Sequence, residues 1–205
     1  NTGEKADVWM PVKPGHDAEL AWAMIRWIID NKRYDENFLR ATGPNSAATA
    51  GEPNWSDGSH LIKIDDEKRA PLTLRDLGLE EGVEPDENGE MPDSERACFV
   101  NGEIVGVDTN EEPGDLDVDI TEVDGPDGPI RVRSVFNMLK ERALEKDIDE
   151  LAEACGIPVE QIISVARDFT SFGKRAAVTS YRGAAMHANG FDAIRSIGYL
   201  NFLVG

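Results

Sequence analysis

Pro14-Gly15-His16-Asp17 and Arg182-Gly183-Ala184-Ala185-Met186-His187-Ala188-Asn189-Gly190 are the two stretches of the chain whose residue types could do chemistry. Each follows an extended run and precedes an amphipathic one, so each reads as a loop leaving a strand and entering a helix. At such a place the free N–H groups and the dipole of the helix favour anions and polar ligands. In the first loop Gly15 lets a backbone approach closely, and Asp17 either caps its helix or accepts two donors from a ligand edge such as guanine N1–H and N2–H2. His16 by itself suits a solvated loop as well as a ligand contact. In the second loop Gly183 and Gly190 leave space for a bulky ligand, Arg182 can pair with an anion, and His187 can donate, accept or shuttle a proton. Asn189 can cap the helix that follows. Capping and binding both stand on residue types alone. Two such loops at one edge of one sheet would favour binding, because parallel α/β sheets place ligands at the carboxyl ends of their strands.

Little else in the chain carries a recognisable chemistry. No P-loop, nucleophile elbow, zinc helix or EF-hand spacing occurs, and no residue is assigned as a metal ligand. Cys98 lies in the apolar run "ACFV" and Cys155 in "LAEACG". Two cysteines so far apart make neither a disulfide framework nor a zinc pair, and both read as buried thiols. His60 stands alone beside a strand and reads as a surface or capping residue.

The elements that must hold the two loops are α/β in pattern. Residues 7–12 read as an extended run with Pro11 at an end or edge. Leu20, Ala21, Met24, Ile25 and Ile28 then recur at helical spacing, and "YDENFLRATG" offers Asp35 as the cap of a short helix that Gly43 and Pro44 end. The last third has Ser134 and Asp147 as caps of two helices, Gly156 as a helix terminator and Pro158 opening a third helix. "AAVTSY" is a continuous apolar strand of the kind a sheet covered on both faces contains, and the loop at Arg182 leads into a final helix. Between these parts "GPNSAATAGEPNWSDGSH" is turn-rich, "HLIKI" is a short strand followed by a turn at "DDEKRAP", and "ACFV", Asn101-Gly102, "EIVGV" is a type I′ hairpin signal. "LDVDITEV" and "IRVRS" are further strands. The expected fold class is therefore α/β: a Rossmann-like parallel sheet flanked by helices, with an acidic β-rich insertion. The expected division is 1–42 and 134–205 for the two parts of the α/β domain and 43–133 for the insertion.

The net charge of −19 is concentrated in that insertion, since residues 76–127 carry nineteen acids and a single base, Arg96. Such a surface excludes nucleic acid as a main partner, because phosphate binding needs clusters of Lys and Arg. It suits a solvated excursion, a docking face for a basic partner, or adaptation to high salt. No apolar run approaches the roughly 18 residues needed to cross a bilayer. The apolar ending "GYLNFLVG" and the solvated beginning together lead us to expect a piece of a longer chain.

The run "ADVWMPVKPGHDAELAWAMIRWIIDNKRYDENFL" resembles the molybdopterin oxidoreductases of the dimethyl sulfoxide reductase family, in which an "ADxWxPxxPGTDAAL" run leads into a helix ending in a "YDxxF" turn. "CGIPVEQIISVARDFTS" and "YRGAAMHANGFDAIRSIGYLNFLVG" resemble the later part of the same domain. "SDGSHLIKID", "LRDLGL" and "ACFVNGEIVGVD" look most like the insertion of tetrathionate reductase catalytic subunits, with arsenate and thiosulfate or polysulfide reductases as near relatives. The resemblance implies a bis(molybdopterin guanine dinucleotide) cofactor carrying molybdenum, a 4Fe-4S cluster in the full-length protein, and reduction of tetrathionate or a related sulfur oxyanion in a respiratory complex. Its implied partners are an iron-sulfur electron-transfer subunit with a membrane anchor subunit, at the periplasmic or outer face of the cytoplasmic membrane. By carry-over, Pro14, Gly15, His16 and Asp17 would lie against one guanine dinucleotide, with His16 standing where relatives have Thr. Gly183, Asn189 and Gly190 would line the cofactor pocket, and Arg182 and His187 would meet the oxyanion. The cluster cysteines and the molybdenum-ligating side chain of relatives lie upstream of the matching segment, so neither role falls on a residue here. Alone, this segment is expected to hold no cofactor and to turn nothing over. The rival reading is a stand-alone nucleotide-binding or interaction module.

Overall fold

The computed structural model describes residues 3–64, 69–80 and 83–205. In chain order the elements are helices α1 (Asp17–Asp30), α2 (Glu36–Arg40) and α3 (Pro44–Ala50), and strands β1 (Leu61–Ile64), β2 (Arg69–Pro71), β3 (Ala97–Val100), β4 (Glu103–Gly106), β5 (Thr121–Gly125) and β6 (Gly128–Ser134). Helices α4 (Val135–Leu144), α5 (Ile148–Cys155), α6 (Val159–Ser171), α7 (Arg182–Ala185) and α8 (Gly190–Val204) follow. They form two compact units, one of Asn1–Asp35 with Lys140–Gly205 and the other of Glu36–Leu139.

The first unit is built around α1, which packs against α5, α6 and α8. The helical spacing expected for this segment is present, but burial goes further round the helix than one face. Ala23, Ile25 and Ile28 are wholly buried, and Ala21, Met24 and Ile29 nearly so. Even Arg26 is held in place, its guanidinium donating to the carbonyls of Leu144 (3.2 Å) and Lys146 (2.6 Å) beside the Asp30 and Asp147 carboxylates. These carbonyls close α4 and precede α5, so a cation there satisfies helix-end acceptors. Gly156 ends α5 with φ 78°, as its position predicts.

Among the described residues the strands of the second unit all pair antiparallel. β2, β1, β6 and β5 make a four-stranded sheet in that order, with Leu61 opposite Ser134 and Val123 opposite Ile130. β3 and β4 form the expected hairpin, Asn101 and Gly102 taking φ 53° and 82° at its turn. Leu61, Leu72, Ala97, Val123 and Val132 make the core between them. Ser134 caps α4 as its type predicts, accepting from the Asn137 N–H at 3.2 Å.

Three expectations change. The turn-rich stretch after Gly43 contains α3, because Pro44 can open a helix and the Ser46 hydroxyl accepts the Thr42 and Gly43 N–H groups at 2.8 and 3.1 Å. His60 is 6% exposed, with its Nε2 2.8 Å from the Thr42 carbonyl, and is therefore a core residue. The parallel sheet expected from residues 7–12 and 176–181 is not seen: among the described residues both sheets are antiparallel, and neither segment joins a ladder. A parallel strand needs a neighbouring strand to receive its backbone groups. Here side chains receive some of them: Asn201 bonds both the N–H and the carbonyl of Val178 (2.8 and 2.9 Å), and Gln161 donates to the Trp9 carbonyl at 3.2 Å. The turn expected at "DDEKRAP" lies partly outside the described residues.

Candidate functional site

The corner before α1 is a tight turn whose residue types explain its shape. The His16 N–H donates to the Lys13 carbonyl at 3.0 Å, Pro14 occupies the second position, and Gly15 takes φ 85° at the third. That is the type II turn, in which the third residue needs a positive φ that glycine adopts without strain. Lys13 anchors the turn to the end of α5, its N–H donating to the Cys155 carbonyl (2.9 Å) and its ammonium to the Glu153 carbonyl (2.8 Å).

α1 starts at Asp17, so His16 and not Asp17 occupies the capping position, and no side chain caps the helix. Asp17 is the first helical residue. Its carboxylate lies at the positive end of the dipole with no hydrogen bond among the described residues. The first N–H groups of a helix have no intrahelical acceptor, so this end offers donors as well as a carboxylate acceptor. Two further polar atoms are stranded beside it. His16 Nδ1 lies 3.4 Å from Glu19 Oε1, and both His16 Nδ1 and Glu19 Oε2 are shut off from solvent with no hydrogen-bond partner among the described residues. Both atoms are therefore left open to a further partner.

The second loop is a short helix folded back on the start of a long one. α7 is a single turn, and its Ala184 packs with Ala18 of α1 and Ala193 of α8. A Cβ on Gly190 would lie 2.2 Å from the Ala185 carbonyl oxygen, so this close return of the chain admits only glycine. Asn189 sits at the capping position of α8 but makes no cap bond. Its amide donates instead to the Gly15 carbonyl at 2.9 Å. The His187 ring lies beside the same glycine, with Nδ1 3.6 Å from where a Gly15 Cβ would be.

The two loops singled out by residue type therefore meet, through Asn189 and His187 of one and Gly15 of the other. Arg182 and His187 are exposed, and among the described residues Arg182 makes no ion pair or hydrogen bond. Gly183 has open space where a Cβ would stand. The apolar side chains around the loops are bare as well: Tyr181 is 84%, Met186 72% and Phe191 78% exposed. These three side chains leave apolar surface open to solvent along one short segment, with the Arg195 guanidinium 5.5 Å from the Phe191 ring centroid. Sequence reasoning missed Lys13 and Asn201, which hold the approaches to both loops; an Asn inside the apolar "GYLNFLVG" is the one signal that pointed to such a role.

No family model matches the chain. It is 37% identical to the A subunit of the selenate reductase of Mesobacillus selenatarsenatis over 98% of its length, and 36% identical to the A subunit of the tetrathionate reductase of Salmonella typhimurium over 96%. It is also 36% identical, over 43% of its length and 11% of the relative, to the catalytic A subunit of a putative dimethyl sulfoxide reductase of Halobacterium salinarum. The chain belongs to the dimethyl sulfoxide reductase family of molybdopterin oxidoreductases. It spans 18% of the length of each of the first two relatives. The resemblance to tetrathionate reductase catalytic subunits is thus borne out, and the near-equal identity to a selenate reductase singles out neither substrate.

Proposed function

We propose that this segment is part of the catalytic subunit of a molybdenum-dependent reductase of sulfur or selenium oxyanions, and that its two joined loops hold one guanine end of a bis(molybdopterin guanine dinucleotide). The observation that carries the reading is the Asn189 to Gly15 hydrogen bond, which makes one surface of two loops whose residue types suit binding. The stranded His16 Nδ1 and Glu19 Oε2, the free Asp17 carboxylate and the open N-terminus of α1 fit a purine edge that presents donors beside acceptors.

When bound, the molybdenum group supplies the two-electron reduction. The residues of this chain bind and orient. Asp17 accepts the two N–H donors of the guanine edge. Gly15, with no side chain, lets the ring approach the turn. Arg182 pairs with the oxyanion, and His187 holds a proton for the charge released on bond cleavage. Residues 7–12 and 176–181 complete a parallel sheet with strands supplied from the rest of the catalytic polypeptide. That polypeptide passes electrons through a 4Fe-4S cluster to an iron-sulfur partner and a membrane anchor, outside the cytoplasm. Both relatives are lettered components of larger assemblies, which supports the existence of further subunits.

The test is expression of the full-length parent with Asp17→Ala and Asn189→Ala variants. Molybdenum content and the guanine nucleotide released on denaturation should both fall in the variants, before any assay with tetrathionate and selenate as acceptors. Full retention of both in the Asp17→Ala protein would exclude the guanine contact.

A further inference from the structure

The second unit contains a cleft of about 660 Å³ that the proposed cofactor site does not use. Its wall is held rigidly: the N–H groups of Leu74 and Ala97 donate to the carbonyls of Glu95 and Leu72, both at 2.9 Å, with Thr73 and Arg96 bridged between them. Two of the cations in the lining are already neutralised. Lys63 pairs with Asp76 at 2.8 Å, and Arg75 pairs with Glu80 at 3.1 Å and donates to the Pro92 carbonyl. The acceptors are not neutralised. Asp93 and Asp108 line the cleft, both exposed, and among the described residues neither carboxylate has an ion pair or hydrogen bond.

Behind them stands His60, which is 94% buried and also lines the cleft. Its Nε2 lies against a carbonyl oxygen, so the proton is on Nε2 and Nδ1 is a bare acceptor. Among the described residues no hydrogen bond reaches that Nδ1. Burial, helped by the Arg96 guanidinium, keeps the ring neutral by pulling its pKa below the ordinary value. Arg96, the single base among the nineteen acids of residues 76–127, lines the same cleft as Lys63 and Arg75 and, among the described residues, makes no ion pair of its own. Trp55 (45% exposed) and Met91 (46%) add apolar walls.

We propose that this cleft docks a basic segment of a second polypeptide, with Lys or Arg head groups on Asp93 and Asp108 and their aliphatic stems along Trp55 and Met91. Charge complementarity selects the occupant: the surrounding acids repel anions and raise the local concentration of cations, and long basic side chains carry the apolar stem that the walls fit.

The experiment uses the full-length parent and a fluorescein-labelled peptide of alternating Lys and Leu, followed by fluorescence anisotropy. Asp93→Asn with Asp108→Asn should weaken binding by at least about ten-fold, and Trp55→Ala by a comparable factor. Glu122→Gln with Asp124→Asn, the same charge change on β5 outside the cleft, should change it by less than about two-fold. Arg96→Ala should leave the affinity unchanged or improved. Equal weakening by the two acid pairs would mean diffuse attraction and would overturn the site. So would absence of binding, or a large loss in Arg96→Ala with preference for a Glu-rich peptide of equal length.

Discussion

The side-chain amide of Asn189 donates to the backbone carbonyl of Gly15 at 2.9 Å, joining residues 174 positions apart. Without that bond the carbonyl at the tip of the turn loses its partner and the two loops are joined by packing alone. A single hydrogen bond of this kind contributes about 1 kcal/mol. Asn189→Ala should therefore leave α1 folded and raise the amide exchange rate of His16 and Gly190 by roughly five-fold, which corresponds to that energy. Hydrogen exchange with mass-spectrometric readout checks it. Unchanged rates in both loops would show that the bond does not hold them.

Gly190 tests the same surface from the other side. Because an added Cβ would stand 2.2 Å from the Ala185 oxygen, Gly190→Ala must push α7 away from the start of α8. Overpacking against backbone costs on the order of 1–3 kcal/mol. Gly183→Ala, where the space is open, should cost only tenths of a kcal/mol and could even stabilise α7, since alanine is the better helix former. A comparison of the two by thermal unfolding should give a clear drop for the first and little change for the second.

What could be read in advance were the features specified by near neighbours in sequence. The helical spacing of α1, the Asn101-Gly102 turn and the Gly156 terminus are such features, and all three appear. α3 was hidden because its stabilising contact runs from Ser46 back to the N–H groups of Thr42 and Gly43, in a stretch whose Gly and Pro content signals turns. His60 looked like a surface residue because its partner, the Thr42 carbonyl, is a backbone group distant in sequence. In the site, residue types pointed to both loops, yet nothing local shows that Asn189 would forgo capping its own helix to bond Gly15. Residues 7–12 and 176–181 have strand-like composition, but a strand is defined by its neighbour, and composition does not supply one.

The pH dependence of the second unit follows from two groups with separate windows. His60 is held below its ordinary value of 6.5, chiefly by burial, with Arg96 adding and the Thr42 carbonyl, Asp57 and Asp108 opposing. Below pH 6.5 the unfolded chain takes a proton that the folded ring refuses, so stability falls as pH drops from that point toward the folded value. Asp76 behaves differently. Its partial burial works to raise its pKa, but Lys63 and the Thr73 N–H and hydroxyl together outweigh that and hold it below 3.8. Its contribution is present above 3.8 and is lost as pH falls through the folded value. The amide protection factors of β1 and β6, measured from pH 7.5 downward, should show a first decline below about 6.5. His60→Gln, which can still donate to Thr42, should remove that decline and keep the loss at lower pH.

Cys98 and Cys155 are both free and wholly buried, so their thiols should react far more slowly than exposed ones. Burial, with Asp115 and Glu95 nearby, pushes the Cys98 thiol up to about 12. Burial likewise raises Cys155 at the end of α5. The thiolate is the reacting species, so at pH 8 only about one Cys98 in ten thousand is in the reactive form, against roughly a quarter of ordinary free thiols. Iodoacetamide at pH 8 should leave both unmodified in the folded protein and label both within minutes in 6 M guanidinium, as intact mass will show. The same shift makes the fold weaker in alkali: above about pH 8.5 the unfolded thiols lose protons that the folded ones keep, so stability falls as pH rises toward 12. Cys98→Ala should flatten that alkaline slope while costing packing energy at neutral pH. Rapid labelling of Cys98 in the native protein would mean that the β3 and β4 hairpin opens far more readily than its buried core implies.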